Sequence, residues 1–517
     1  MKRRSFLKTG LNGVFLPSLL GGLSIKAFGR TYESTMLTDK VLVVVQLNGG
    51  NDGLNTVVPI DIFNKYQAAR PNIYIAESKL LRIEQNENLG LHPAMDDIHD
   101  LFLNGKAGLI QGVGYPNPNF SHFRATDIWN TSTDSDKFIS NGWLGRYLAS
   151  KNPSFPSGYP NNEEPDPLAI QVGSIVTTAL QGPIFSMGMA VSNPENDIEL
   201  LADKNASYPN SYSGEHLDFI NQTSLQTNSY SKRIVEANAK AQNKVDYPDN
   251  SLAQQLQVVA RLVAGGLKTK IYYVNFGGFD THANQTNTGN TATGLHANLL
   301  ETVSLSIGAF MRDLKQLQVS ERVMGFTYSE FGRRIKANGS NGTDHGTSAP
   351  VFTFGENVNS VVLGHSPDIP SNVGTRDNLP MQYDFRSVYA SILSGWFCTD
   401  QSTLDEVLLK NFQELPLVKA NVCQTITSTQ PEQPSKRISN YPNPFVNQTK
   451  VAFQSEGGHN MIQVFDLQGR LIDRPLDKEL KPGSHELVLN TSNWNHGSYF
   501  LRFQNGPYQE IRRLIKN

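Results

Sequence analysis

The chain has 517 residues, more than one hydrophobic core usually organises, so at least two domains are expected. With 38% hydrophobic and 18% charged residues it can bury cores, which excludes global disorder, and its 42 glycines and 27 prolines imply many loops. Lysine and arginine total 45 against 47 acidic residues, a net charge of −2 with no basic block, which argues against a nucleic-acid partner.

Residues 1–30 read as a leader. Lys2, Arg3, Arg4 and Lys8 precede an apolar run from Leu11 to Leu23, broken by Gly21 and Gly22 and too short to span a bilayer permanently. The segment Lys2-Arg3-Arg4-Ser5-Phe6-Leu7-Lys8 resembles the twin-arginine export signal, which implies passage of the folded chain through the twin-arginine machinery. These residues hold six basic side chains and no acidic one, so the remainder carries 39 basic against 47 acidic residues, net −8. No transmembrane segment is expected in the mature protein.

Residues 38–425 hold a series of apolar, β-branched runs of the kind that form strands buried on both faces. In chain order these are Val41–Val45, Leu109–Val113, Ile271–Phe276, Val323–Thr327 and Val351–Phe354. Helical patterns fall between them: Leu252, Leu256, Val259 and Leu262 share one face, as do Leu300, Val303, Ile307, Phe310 and Leu314. Alternating strands and helices predict an α/β domain with a mainly parallel sheet flanked by helices. The polar stretch from Gly182 to Ser231 reads as an insertion or lid. Cys398 and Cys423 are either a disulfide or two separate buried thiols; spacing alone decides neither. With no CxxC pair, any metal must be held by oxygen and imidazole.

Polar loops sit at the ends of these strands. They contain Asn51-Asp52-Gly53, then Ser121-His122-Phe123-Arg124, then Gly277-Gly278-Phe279-Asp280-Thr281-His282, then Ser329-Glu330-Phe331-Gly332-Arg333, and finally Asp344-His345-Gly346 before the last run. Ligands of open α/β sheets bind beyond the carboxyl ends of the strands, so these loops are expected to converge on one crevice. Aspartate with histidine suits zinc, manganese or a similar divalent ion. Plainer readings exist beside these: Asp52 as a turn residue, Ser121 as a helix N-cap, Asp280 with His282 as an Asx turn, and Glu330 as a partner for Arg333. His92 reads as structural, and His122 as a residue supporting or packing behind the ligands.

Residues 426–438, with Pro431 and Pro434 among Ser, Thr and Gln, form a linker. Residues 439–517 alternate short β patterns with turns and predict a small all-β sandwich. Their motifs, Tyr441-Pro442-Asn443-Pro444-Phe445, Val464-Phe465-Asp466-Leu467-Gln468-Gly469-Arg470 and Gly497-Ser498-Tyr499-Phe500-Leu501, resemble the C-terminal sorting domain of the type IX secretion system. That resemblance implies transit through the periplasm and outer membrane, to a secreted or cell-surface location.

Val274-Asn275-Phe276-Gly277-Gly278-Phe279-Asp280-Thr281-His282 resembles the metal loop of alkaline phosphatases. Phe326-Thr327-Tyr328-Ser329-Glu330 and His345-Gly346-Thr347-Ser348-Ala349-Pro350-Val351-Phe352 resemble two further segments of that superfamily. The central region as a whole is similar to the family called domain of unknown function 1501, within the alkaline phosphatase and sulfatase superfamily. The resemblance implies an alkaline-phosphatase-like α/β fold and a hydrolase of phosphate or sulfate esters, on a small-molecule or glycan substrate. It implies one divalent ion (zinc, manganese or calcium) held by Asp280, His282 and His345. A second ion would lie near Asp52 and Glu330, Ser121 would be the nucleophile, and Arg124 or Arg333 would grip the anion. Phe331 stands where superfamily phosphatases carry a histidine, so one ion is as compatible with the pattern as two, with Asp344 a candidate replacement ligand. An inactive relative that binds a glycan or anion is the alternative.

Overall fold

Val41–Leu47 (β1) is buried along its whole length, because both faces of the sheet it belongs to are covered. Val41, Val43 and Val45 enter one apolar cluster and Leu42 and Val44 enter another. The computed structural model describes residues 39–423 and 438–516, apart from 197–198, 204–205, 207, 210–211, 444, 467–470 and 507. The leader expected over 1–30, nearly all of the linker expected over 426–438 and part of the Val464–Arg470 motif lie outside the described residues. The chain divides into Met1–Thr425 and Ile426–Asn517.

In the first unit the strands that share a sheet with β1 are Ala107–Gly114 (β2), Ala169–Val172 (β3), Met189–Val191 (β4), Ile271–Phe276 (β5), Val323–Tyr328 (β6), Ala349–Gly355 (β7), Val362–Leu363 (β8) and Tyr383–Asp384 (β9). They form a nine-stranded sheet of order β8-β2-β7-β6-β1-β5-β3-β4, with β9 also paired to β2. β1 is parallel to both β5 and β6, and the β3–β5, β3–β4, β2–β8 and β2–β9 pairs are parallel too. Only β7 runs against its neighbours β2 and β6. The fold is therefore α/β with a mainly parallel sheet, as expected.

The reversed strand brings the loops together. β1, β2, β5 and β6 point the same way and release their following loops at one edge. β7 points back, so the loop preceding it arrives at that same edge. Five segments distant in the chain meet there for this topological reason.

Helices cover both faces. His122–Thr131 (α1) and Phe385–Gly395 (α5) pack on the side of Leu42 and Val44 through Ile128, Trp129, Val388 and Ile392. Ser251–Ala264 (α3) and Leu295–Gln316 (α4) pack on the other side through Leu256, Val259, Val303 and Phe310. The stretch read as a polar insertion is more regular than expected. It supplies the edge strand β4 and most of a 29-residue helix, Tyr212–Lys240 (α2), anchored on the core by Ile234 and Ala237. Cys398 and Cys423 form a disulfide, resolving the alternative left open by their spacing.

The second unit has two antiparallel sheets, one of Ile438–Tyr441, Gln448–Ser455 and Gly483–Asn490, the other of Leu471–Leu480, Gly458–Phe465, Gly497–Asn505 and Tyr508–Lys516. Alternate residues such as Val451, Phe453, Ile462, Val464, Leu501 and Phe503 form its core.

Candidate functional site

The turn after β5 sets Asp280 and His282 side by side. His282 N–H donates to the Asp280 carbonyl at 3.0 Å, and His282 Nε2 lies 3.0 Å from Asp280 Oδ1. From the loop before β7, His345 Nε2 lies 3.0 Å from the same oxygen and 2.9 Å from His282 Nε2. From the first turn of α1, His122 Nε2 lies 3.5 Å from Asp280 Oδ2. Ligand atoms of His122, Asp280 and His345 all fall within 4.8 Å of one another. Around a tetrahedral ion with bonds of 2.0–2.1 Å, ligand atoms stand roughly 3.3 Å apart, so these spacings suit one ion.

The protonation of the two outer imidazoles follows from their other contacts. His345 Nδ1 lies 2.8 Å from the Phe120 carbonyl, which only accepts, so Nδ1 carries the proton and Nε2 a lone pair. His122 Nδ1 lies 2.7 Å from Glu330 Oε1, and its buried Nε2 has no hydrogen-bond partner. Both rings thus turn lone pairs toward the Asp280 carboxylate. Acceptors facing acceptors call for a donor or a cation between them; His282 Nε2 lies within reach of His345 and Asp280, and a histidine backed by a carboxylate or carbonyl is also a common setting for a metal ligand. Burial, the largest influence on His345, pushes its pKa down and favours the neutral, ligating form.

Asp280 is half exposed, yet Arg333 beneath it is buried, with Nη2 at 2.6 Å from Oδ1. Burial alone would raise the Asp280 carboxyl, but Arg333, with His345 and His282, outweighs it and brings the group to about 2. Arg333 is otherwise engaged by the carbonyls of Gly49, Gly50, Phe279 and Thr343. It has no hand left to grip a substrate, and its carboxylate partner is Asp280 rather than Glu330.

The β1 loop makes this closeness feasible. Gly49 and Gly50 have φ of +121° and +77°, and a Cβ on either would come within 2.4 Å of Asp280 N or of the Phe331 ring. Only glycine satisfies both demands. Phe331, standing where the resemblance led one to look for a ligand, is buried against the rings of His122 and His345, with centroids 4.8 and 4.6 Å apart. It acts as a wall for both imidazoles.

The other sequence-predicted residues take different places. Glu330 accepts from Gly49 N–H at 2.9 Å and stands behind His122 as its support. Asp344 stands behind His282 in a similar way, with Oδ1 at 3.5 Å from His282 Nδ1. Asp52 is fully buried and is not brought into the group; its Oδ2 is bonded to Arg70 at 2.6 Å and Gln285 at 2.6 Å. Burial opposes ionisation of Asp52, but Arg70 overcomes that and keeps the carboxyl below its usual range. Arg124 is committed to Asp127 and to the carbonyls of Ser135 and Lys137, and stacks on Phe138. Ser121 occupies the N-cap position of α1, but its side chain makes no capping bond and is exposed. It lies between Phe120, whose carbonyl holds His345, and His122.

His92 is buried and structural, its Nδ1 accepting from Ala94 N–H. His122, expected as a supporting or packing residue, lies in the group itself, with Nε2 3.5 Å from Asp280 Oδ2. Its neighbour Ser121 at a helix start was the only local signal available. Arg70 carried no signal at all, since its partner Asp52 lies on a different element.

The model of a family described as a protein of unknown function, DUF1501, matches residues 114–382. The chain belongs to the DUF1501 family. A second model, described as a secretion system C-terminal sorting domain, matches residues 439–517, and marks this DUF1501 protein for export to the cell surface or beyond it. Among the described residues, no helix is long and apolar enough to cross a membrane. No curated protein matches significantly. Similar solved structures include the PsFucS1 sulfatase from Pseudoalteromonas sp., at 11% identity and a TM-score of 0.32, covering 89% of this chain and 86% of that one. Another is an alkaline phosphatase superfamily protein from Vibrio parahaemolyticus, at 7% identity and a TM-score of 0.30, covering 92% of this chain and 82% of that one. A third is the lipoteichoic acid synthase LtaP from Listeria monocytogenes, at 10% identity and a TM-score of 0.27, covering 63% of this chain and 66% of that one.

Proposed function

We propose that this exported DUF1501 protein is a metal-dependent hydrolase of phosphate or sulfate esters, with Ser121 as nucleophile. The reading rests on one geometry: Nε2 of His122, which has no hydrogen-bond partner among the described residues, and Nε2 of His345 and of His282, 2.9 Å apart, all face the Asp280 carboxylate. Such a set calls for a divalent ion, held by Asp280, His122, His345 and His282, with Asp344 behind His282. Zinc fits these nitrogen and oxygen donors best; manganese is the runner-up. When bound, the ion supplies Lewis acidity toward an ester oxygen and toward a hydroxyl beside it.

The chain's own residues provide the rest. Ser121 leaves its hydroxyl free of capping, next in sequence to His122. The amides of the first turn of α1 have no intrahelical acceptor and favour an anion at that end. Phe120 and the almost completely exposed Phe123 flank Ser121 and offer apolar faces to the organic part of a small-molecule or glycan ester. Export by the twin-arginine route, with the ion seated before transit, belongs to the same proposal, as does the division into leader 1–30, α/β domain 38–425, linker 426–438 and sorting sandwich 439–517.

The test is metal analysis of the purified chain together with turnover of aryl phosphates and aryl sulfates by wild type and Ser121→Ala. We expect bound divalent ion in both proteins and turnover in the wild type alone. A wild type that holds no ion and leaves both ester classes untouched refutes the reading. A second reading is a binding protein without turnover, favoured by the buried Arg70–Asp52 pair, which takes away a carboxylate that catalysis by two ions would use. Ion and anion binding that survive Ser121→Ala, with no turnover in either protein, would select it.

A further inference from the structure

Two carboxylates that the family resemblance assigns to metal, Asp52 and Asp280, each hold a buried arginine. Arg70 and Arg333 have no side-chain exposure. Arg70 gives Nη1 to Asp52 Oδ2 at 2.6 Å and to Asn55 Oδ1 at 2.9 Å, Nε to the Ile335 carbonyl at 2.9 Å, and Nη2 to the Arg334 carbonyl at 2.7 Å. Arg333 gives Nε to the Gly50 carbonyl at 2.6 Å, Nη1 to the Thr343 carbonyl at 2.9 Å and Nη2 to Asp280 Oδ1 at 2.6 Å. Every nitrogen of both guanidinium groups is engaged, and Ile335, Arg334 and Arg333 follow one another in the loop after β6.

We infer that Arg70 stands in place of a second cation, so that the centre binds a single divalent ion and Asp52 serves as a structural counter-charge; at Asp280, by contrast, Arg333 holds Oδ1 while Oδ2 faces His122. The inference rests on the metal reading above and refines it. A guanidinium cannot lose its proton in a protein, so each arginine is a permanent positive charge. An ion inserted at Asp52 would meet Arg70 at hydrogen-bond range and would have to break a buried ion pair, leaving a buried charge without its partner. Glu330, the other carboxylate assigned to that ion, is turned to His122 and Gly49 instead. Of the two Asp52 oxygens, Oδ1 has no hydrogen-bond partner among the described residues and is the one place where an ion could still attach, so substitution of Asp52 is the decisive perturbation.

The experiment strips the full chain with chelator, reloads it with Zn²⁺ or Mn²⁺, and measures ions per chain by elemental analysis and by calorimetric titration. The paramagnetic resonance of the Mn²⁺ form reports whether ions are isolated or spin-coupled. The expected result is one ion per chain, an isolated Mn²⁺ spectrum, and unchanged stoichiometry with affinity within threefold for Asp52→Asn. His345→Ala is expected to lose the ion. If Asp52→Asn fails to fold, the uncharged double variant Asp52→Leu/Arg70→Met replaces it, with the same expectation. Two ions per wild-type chain, a coupled Mn²⁺ pair, or loss of an ion on substituting Asp52 would overturn this inference while leaving the metal reading intact. No ion in the wild type would overturn both.

Discussion

The Glu330→Gln variant separates the two roles this residue can have, as a ligand or as the support of His122. The side chain is almost fully buried, and its Oε1 lies 2.7 Å from His122 Nδ1 and 2.9 Å from Gly49 N. Its Oε2 lies 3.2 Å from Gly49 N and 3.3 Å from Ser329 Oγ. Glutamine has the same volume. Its amide oxygen can occupy the Oε1 position and accept both bonds, while the amide NH₂ turns toward Ser329 Oγ. The His122 tautomer therefore survives, but the bond is no longer charge-assisted, which about halves its strength. Removing a partner behind a ligating histidine typically costs about 10- to 100-fold in metal affinity, or roughly 1.4–2.7 kcal/mol. We expect Glu330→Gln to weaken zinc binding within that range, read by competition with a chromophoric chelator, at unchanged stoichiometry and with a thermal midpoint near wild type. Affinity within threefold of wild type would refute the claim that the charge of Glu330 behind His122 strengthens ion binding. Loss of the ion from a well-folded variant would instead make Glu330 a ligand.

Further perturbations test the surroundings. Gly49→Ala forces a side chain onto φ +121° and a Cβ to 2.4 Å from Asp280 N, so strain alone costs about 1–3 kcal/mol; its unfolding midpoint should fall and its zinc affinity with it, and an unperturbed variant would disprove the close-approach argument. Replacing Cys398 and Cys423 by serine opens a link between residues 25 apart and should cost about 3–4 kcal/mol in denaturant unfolding of the α/β unit, a figure that an unshifted midpoint would contradict. Acid should also destabilise the protein through two buried histidines. Burial above all pushes His92 down to about 3 and His296 to about 4, against the opposing charge of Asp52. Both histidines stay neutral when folded and take up protons near pH 6.5 when unfolded, so their stabilisation is complete above pH 6.5 and declines as pH falls toward 4. Two such groups remove roughly 3–4 kcal/mol between pH 7 and pH 5, and equal unfolding free energies at the two pH values would rule the mechanism out.

What could be read from the sequence was whatever is written in contiguous residues. The runs at Val41, Leu109, Ile271, Val323 and Val351 became strands because two-sided burial leaves few polar positions in them, Gln111 and Asn275 among the exceptions. The helices α3 and α4 were visible through one apolar face each. The 29-residue helix α2 was not, because its apolar core contacts, Ile234 and Ala237, lie in its last turns, while earlier along it Leu217 and Ile220 are exposed and the buried residues include Asn221 and Gln226. The disulfide stayed undecided, since a separation of 25 residues is compatible with any distance. Nor does the apolar pattern of a strand carry a direction, so the reversal of β7 left no mark in the sequence.

The candidate site shows the same division more sharply. Its residue types and their order at strand ends were legible, because each loop carries its polar set as a short motif. Their roles were not, because ligand and support are exchanged by contacts between loops. His122 and Glu330 form one hydrogen-bonded pair 208 residues apart, and either could face the centre. What decides is the glycine pair of the β1 loop. Gly49 presents its N–H to Glu330 and draws that carboxylate back under the loop, while the carbonyls of Gly49 and Gly50 fix Arg333 beneath Asp280. With Glu330 drawn back, the imidazole is the group left to reach Asp280, and Phe331 fills the space beside it. Phe331, where the resemblance leads to a histidine, thus lies against an imidazole, His122, that comes from the start of a different helix.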